Sequence, residues 1–420
     1  MNKILSAPGV LLFCSIPLRF IIEWMPLVGF PIISTAMVGV QYIAMLFCVI
    51  ALLSSRNARN LPKLSKCLLI IYTIYTLYLF YDLMINPKLP RQDILRAPAT
   101  DFELFQNSIS LGLTMFFCWY CNIKVDFIKW AKASCIFLTV MLLIYGAKVD
   151  LRLYAIERFV VEANNAGETN MSDYGAFDAL RLGWFCGINY VCNLFLKTKW
   201  TKSKFVNNII FWTISIFTFS IIIVTLQRGP IVFLITTTLF YLFAKGYLSP
   251  KHAKIVIPIL LIFAVFSSYI FNNILNVLAP ELMERFANTL EEGASGRFGS
   301  DDSAYSLAFD EILKNPLFGH YFRYTETGGY FYGLYPHNIL LEALMTMGIV
   351  FSIPFFVILW CCVKKSYYAI QNDAPVAVFG LIFIYILSTL MTSASMVLMS
   401  TFWVPFAVIS AYLPKSKVKI

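Results

Sequence analysis

"NILLEALMTMGIVFSIPFFVILWCC", residues 338–362, carries a single charged residue, Glu342. At 1.5 Å rise per residue, this run exceeds the roughly 20 residues that cross a bilayer core of about 30 Å. Lys364 and Lys365 follow it, and Tyr335-Pro336-His337 precedes it, His337 being one of 3 histidines in the chain. Similar apolar runs recur at 7–24, 36–54, 67–86, 106–122, 133–147, 183–196, 208–227, 230–244, 255–275, 376–392 and 395–413. Composition agrees: 59% hydrophobic, 13% charged and a mean hydropathy of +0.72 leave too little polar surface to coat a soluble domain. The expected fold is all-α, a polytopic integral membrane protein of about 12 transmembrane helices. It forms one domain over 1–420, with no internal repeat and no appended soluble module.

A net charge of +10 would point to nucleic acid in a soluble protein, but here the charge sorts by side. With the N-terminus in the cytoplasm, the inward segments hold Lys3; Arg56, Arg59, Lys63 and Lys66; Lys124, Lys129 and Lys132; Lys197, Lys199, Lys202 and Lys204; Lys245, Lys251 and Lys254; Lys364 and Lys365; and Lys415, Lys417 and Lys419. That is 20 of 33 basic residues, against the acids Asp126 and Asp373. The pattern is positive-inside, so both termini are expected in the cytoplasm and no nucleic-acid partner is implied. All 10 cysteines lie in or at the ends of apolar runs, which implies no disulfide framework. The CxxC pair Cys118 and Cys121 has no second pair and no nearby histidine, which favours packing over a metal or redox centre. Neither metal nor cofactor is expected. The first run, broken by Pro17 and Arg19, lacks the marks of a cleavable signal and is expected to remain as a helix.

Two outward connections are long, 148–181 and 276–337. The second contains "SDDSAYSLAFDEILKNP", residues 300–316, with Ser300, Asp301 and Asp302 as N-cap candidates and Ala304, Leu307, Ala308 and Ile312 at helical spacing. Lys314 falls in the last turn and Asn315-Pro316 stops the helix. A short amphipathic helix is expected there, lying on the membrane face and packing over the bundle. The loop then becomes a folded lid with glycines around it.

Several polar residues sit where a bland outer face would not need them. Arg228, in "TLQRGPIV", lies between two apolar runs with no real loop, where an arginine either snorkels to headgroups or serves a site. Arg181, in "RLGWFCGIN", is expected to open a helix on the outward side, with the same two readings. Arg297, in "SGRFGS", occupies a glycine-rich turn whose N–H groups are open to an anion, and Arg285 is closest to ordinary loop charge. Pro336 suits a first helical position, which puts His337 and Asn338 in the first turn of the tenth helix. Asn338 and Glu342 are spaced i, i+4 and share a face. Glu342 is either a functional intramembrane carboxylate or a buried partner for a neighbouring polar group. An arginine-rich outward site with one imidazole suits a lipid diphosphate: guanidinium forks take phosphate oxygens, and imidazole accepts a proton from an attacking hydroxyl. No P-loop and no GxGxxG is present, so the donor must arrive already activated.

Three motifs carry a family resemblance: "TLQRGPIVFL" around Arg228, "SGRFGSDDSAYSLAFDEILKNPLFG" from Ser295 to Gly319, and "PHNILLEALMTMG" ending at Gly348. In this order, the chain resembles the bacterial O-antigen polymerase and O-antigen ligase superfamily, which includes Wzy-type polymerases. Where the family often shows a second glycine near position 321, this chain has His320 and Tyr321. The resemblance implies a GT-C-like, metal-independent membrane glycosyltransferase of the bacterial inner membrane, with undecaprenyl-diphosphate-linked glycans as donor and acceptor and its site facing the periplasm. It implies diphosphate binding by Arg228 and Arg297, with Arg181 a weaker carry-over, and an acceptor-activating or orienting role for His337. A separate chain-length regulator protein is implied as a partner. A polymerase is the expected activity, a ligase placing finished glycan on lipid A core the alternative, and transport of a lipid-linked sugar the third reading.

Overall fold

The structure is a computed structural model and describes residues 7–24, 31–54, 61–85, 110–119, 125–148, 174–224, 228–247, 304–319, 336–392, 396 and 399–413. All regular structure among these residues is helical: α1 Ala7–Ser15, α2 Arg19–Trp24, α3 Pro31–Ser54, α4 Lys63–Ile85, α5 Ser110–Trp119, α6 Phe127–Lys148, α7 Tyr174–Leu196, α8 Lys204–Val224, α9 Arg228–Ala244, α10 Ala304–Lys314, α11 Ile339–Gln371, α12 Ala377–Leu390 and α13 Trp403–Ala411. Segments of α3, α6, α8 and α11 are long and apolar enough to cross a membrane. Their outward faces are correspondingly apolar, with Ile43, Phe47 and Ile50 on α3 and Trp212 and Ile216 on α8 exposed. The transmembrane character expected from composition therefore rests on these helices, whereas twelve crossings are not reached among the described residues. The expected run at 255–275 lies outside them.

The core is built around α7 and α12. Every residue from 182 to 196 is buried, and α7 packs on α6, α8, α9 and α12. Two of its glycines, Gly183 and Gly187, are four apart and so lie on one face. Tyr385 of α12 fills that face: its hydroxyl donates to the Gly183 carbonyl at 3.3 Å, and a Cβ on Gly187 would run into the phenol ring. Asn189 and Asn193 bury their amides on the other sides of α7. Asn189 Nδ2 donates to Thr139 Oγ1 at 3.1 Å, and Asn193 Nδ2 donates to the Phe211 carbonyl at 2.8 Å. Buried amides cost free energy unless paired, and these pairings tie α7 to α6 and α8.

Three boundaries depart from the sequence reading. The run 7–24 is two short helices, α1 and α2, separated by a turn at Ile16–Leu18, because Pro17 cannot continue the ladder. The helix at 183–196 begins at Tyr174, so Arg181 lies in its third turn rather than opening it. Among its described residues, the run 395–413 yields a 3-10 turn, Ser400–Phe402, and the nine residues of α13. Nine residues span about 14 Å, too little to cross a bilayer. Helix α13 is instead wholly buried, with Phe402, Trp403 and Phe406 against Phe355 of α11 and Phe383 of α12.

Helix α10 forms where the amphipathic pattern predicts it. Ala308 and Ile312 pack against Leu341 and Met345 of α11. The candidate caps at 300–302 lie outside the described residues. Beyond Lys314 the chain turns through Asn315–Gly319, with Gly319 N–H donating to the Asn315 carbonyl at 3.0 Å, and docks on α11 through backbone hydrogen bonds. Gly348 has φ 63° and ψ −178°, a conformation open essentially to glycine, which breaks the α11 ladder. The freed N–H groups of Ile349 and Val350 donate to the Pro316 and Leu317 carbonyls at 2.9 and 3.1 Å. A Cβ on Gly348 would meet the Leu317 carbonyl, and one on Gly319 would meet the Thr346 carbonyl. Two of the sequence motifs thus end on glycines that touch each other's backbone.

Candidate functional site

Three of the predicted residues, His337, Asn338 and Glu342, lie at the start of α11. The helix begins at Ile339, not at Pro336, and Asn338 is its N-cap, with φ −147° and ψ 118°. Asn338 Oδ1 accepts from the N–H groups of Leu340 at 2.9 Å and Leu341 at 3.3 Å, an N-cap arrangement that satisfies two orphan donors. Those N–H groups are therefore spent on the cap and do not form an anion cradle. The other end of the same amide donates, Nδ2 to the Met391 carbonyl at 3.2 Å, reaching the end of α12.

His337 stands just before the cap, in left-handed backbone at φ 53°. That conformation is uncommon outside glycine and costs of the order of 1 kcal/mol or more, and it turns the chain sharply into the helix. The residue is half-buried, between the closed bundle and its surface. It precedes the first turn instead of forming part of it, which corrects the sequence expectation.

Glu342 is fully buried one turn into α11, and its N–H donates to the Asn338 carbonyl at 2.9 Å. Its Oε2 accepts from the backbone N–H of Met396 at 3.0 Å. Met396 lies in the connection between α12 and α13, and its carbonyl accepts from Trp403 Nε1 at 3.0 Å. Asn338 and Glu342 therefore hold this connection from the same face of α11, as their spacing predicted. The partner reading of Glu342 has a concrete form, a backbone N–H 54 residues away in sequence. Irregular backbone at the end of a membrane helix is stable only where protein or water satisfies it, and these two side chains do part of that work.

Met391, Met396 and Trp403 are site neighbours that the sequence reading did not single out. "MTSASMVLMS" reads as an apolar run, and the signal that marks it, its small and hydroxylated residues, is as common in membrane helices as in their breaks. Of the arginines, Arg228 is the first residue of α9, which packs on α7, α11 and α12. Arg181 lies within α7. Arg297 and Arg285 fall outside the described residues. The structure therefore unites His337, Asn338 and Glu342, and attaches Arg181 and Arg228 to helices of the same bundle. Among the described residues no cluster of three or more metal-ligating side chains occurs, and Cys118 is buried among core residues.

No family model, curated protein or solved structure matches the chain. The site's chemistry must be argued from its own residues. Among the described residues it offers a half-buried imidazole just before a long apolar helix, with a capping amide and a buried carboxylate in the turn that follows.

Proposed function

We propose that this chain is a membrane glycosyltransferase that polymerises undecaprenyl-diphosphate-linked oligosaccharide repeat units, an O-antigen polymerase working on the periplasmic side of the bacterial inner membrane. The observation that supports it most is the group at the start of α11: His337 in strained backbone, followed by Asn338, which caps the helix, and by buried Glu342, which holds the Met396 N–H. In this reading the end of α11 that carries His337, beyond the break at Gly348, reaches headgroup depth, where the diphosphate of a polyprenyl-linked sugar resides.

In this reading the acceptor hydroxyl loses its proton to the His337 imidazole as its oxygen bonds to the anomeric carbon of the donor. The bond from that carbon to the diphosphate breaks, and undecaprenyl diphosphate leaves with the electron pair. Arg228 and Arg297 take the developing charge through guanidinium forks, with Arg181 and Arg285 as secondary contacts. Asn338 and Glu342 position the imidazole by fixing the start of α11 against the connection that follows α12.

The test is reconstitution of the purified protein in vesicles with lipid-diphosphate repeat units. Extended glycans are expected from the wild type and none from His337→Ala. Arg297→Lys should lose most activity despite its retained charge, because a point ammonium cannot form the fork. In cells, loss of the gene should leave core carrying a single repeat unit. Core bearing none would assign the ligase activity instead, and repeat units that cross the membrane without extension would assign transport.

A further inference from the structure

Helix α10 has two apolar faces, and only one is packed among the described residues. Ala308 and Ile312 face α11, while Phe309, Leu313, Leu317 and Phe318 are each more than half exposed, Leu313 at 74%. At 100° per residue, Phe309 and Leu313 occupy the side next to the packed face, and Asp310 and Lys314 a third, polar side. Lys314 does not stand as a lone charge, since its Nζ donates to Glu311 Oε1 at 2.7 Å.

The depth of this second face follows from α11. Trp360 and Lys364 stand together, ammonium over ring at 5.4 Å, as residues at a membrane interface do. Above them an exposed apolar stripe climbs the helix through Val357, Ile353 and Ile349 at spacings of three and four, as a lipid-facing surface does. From Lys364, a core of about 30 Å takes about 20 residues at 1.5 Å each, so the opposite boundary falls near Leu344. Ile349 and Val350, which donate to Pro316 and Leu317, then lie about 8 Å inside the hydrocarbon. The Asn315–Gly319 turn is bonded to α11 at that depth, while Ala308 and Ile312 meet Leu341 and Met345, nearer the boundary. Leu317 and Phe318 continue the α11 stripe, and the Phe318 ring approaches Phe351 at 6.3 Å.

We propose that α10 and its C-terminal turn form a re-entrant element whose second apolar face contacts the acyl chains of the leaflet on the His337 side, not a lid standing in water. Leu317 and Phe318 are deepest, Leu313 intermediate, and Asp310 nearest the headgroups. The reciprocal glycines permit this, because direct backbone bonding leaves no unsatisfied carbonyl of Pro316 or Leu317 to meet lipid. The inference needs only that α11 crosses the bilayer and is independent of the glycan chemistry above.

The test uses the full-length chain in phosphatidylcholine vesicles, with Cys67, Cys121 and Cys361 changed to serine. Cysteines introduced one at a time, Leu317→Cys, Leu313→Cys, Phe309→Cys and Asp310→Cys, carry a fluorophore, the remaining native cysteines being buried. Nitroxide placed deep in the lipid acyl chain should quench the labels at 317 and 313 several-fold more than the label at 310, and a water-soluble quencher should show the reverse order. Phe309→Cys supplies a second reading of the helix face should a label at 317 disturb the turn. Quenching of 313 and 309 mainly from water would overturn the proposal in favour of an aqueous lid. Shielding from both quenchers would overturn it in favour of a covering protein, either a partner or a second copy.

Discussion

Single residues decide how the motifs that end at Gly319 and Gly348 meet. Gly348 holds a glycine-only conformation with the Leu317 carbonyl where a Cβ would stand, so Gly348→Ala suffers both backbone strain and a collision. A loss of about 1–3 kcal/mol is expected, read as a lower midpoint of thermal unfolding in detergent. Gly319→Ala, at φ 71°, should behave alike, and the double variant should cost less than the sum because both changes break one contact. Asn338 allows a sharper distinction. Asn338→Asp keeps the acceptor for Leu340 and Leu341 and suits a helix N-terminus, but it replaces the Nδ2 donor facing the Met391 carbonyl with a repelling oxygen. If the tie to Met391 matters, the aspartate variant is less stable than wild type and the alanine variant loses about 1–2 kcal/mol. An aspartate variant as stable as wild type would reduce Asn338 to a cap alone.

Among the elements, α7 and α12 carry the closest approach, and the glycine pair on α7 exists to seat Tyr385. Gly187→Ala forces the phenol ring away and should lower the unfolding midpoint markedly, while Tyr385→Ala leaves a cavity and costs a few kcal/mol by itself. Joined in one chain, the new methyl occupies part of that cavity, so unfolding measurements should show a coupling of about 0.5–3 kcal/mol in favour of the pair. Strict additivity would mean that the two helices do not share this contact in the membrane. The helices themselves were mostly legible in the sequence, because a run such as 208–227 has one reading at any window. Apolarity alone does not separate a run that crosses the bilayer from one enclosed by protein. Helix α13 is apolar because it is enclosed by Phe355, Phe383 and their neighbours, and enclosure frees it from the length that crossing demands. The α7 start was misread for the opposite reason, since "YGAFDALR" is too polar for a hydropathy window yet extends the same helix. In the site, the shared face of Asn338 and Glu342 was legible from their spacing. Met391 and Met396 were not, because no local pattern reveals a backbone partner more than fifty residues away.

At the scale of the whole molecule, lysines fasten the end remote from His337. Lys132 Nζ donates to the Trp200 carbonyl at 2.8 Å, and Lys365 Nζ donates to the Ser410 carbonyl at 2.6 Å. Lys199 and Lys245 converge on Asp373, itself in left-handed backbone at φ 51°, so the connection after α7, the end of α9 and the turn between α11 and α12 meet at one carboxylate. Lys245 sits directly on Asp373, whereas Lys199 stands 4.0 Å away with its stem buried and its ammonium over the Phe195 ring. Burial pulls the Lys199 ammonium down to about 8, an effect that Asp373 opposes and Lys245 reinforces. A lysine whose folded pKa is depressed binds fewer protons than in the unfolded chain between that value and its ordinary one. Stability contributed by this group is therefore absent below about 8 and grows as the pH rises from there toward the usual lysine range. Lys199→Met removes the buried charge while Lys245 keeps Asp373 paired. The variant should unfold at a higher temperature than wild type at neutral pH, and the gap should close as the pH is raised through this window. A gap that stays constant across the same titration would show that Lys199 is held by its contacts with Phe195 and Asp373 and not penalised by burial.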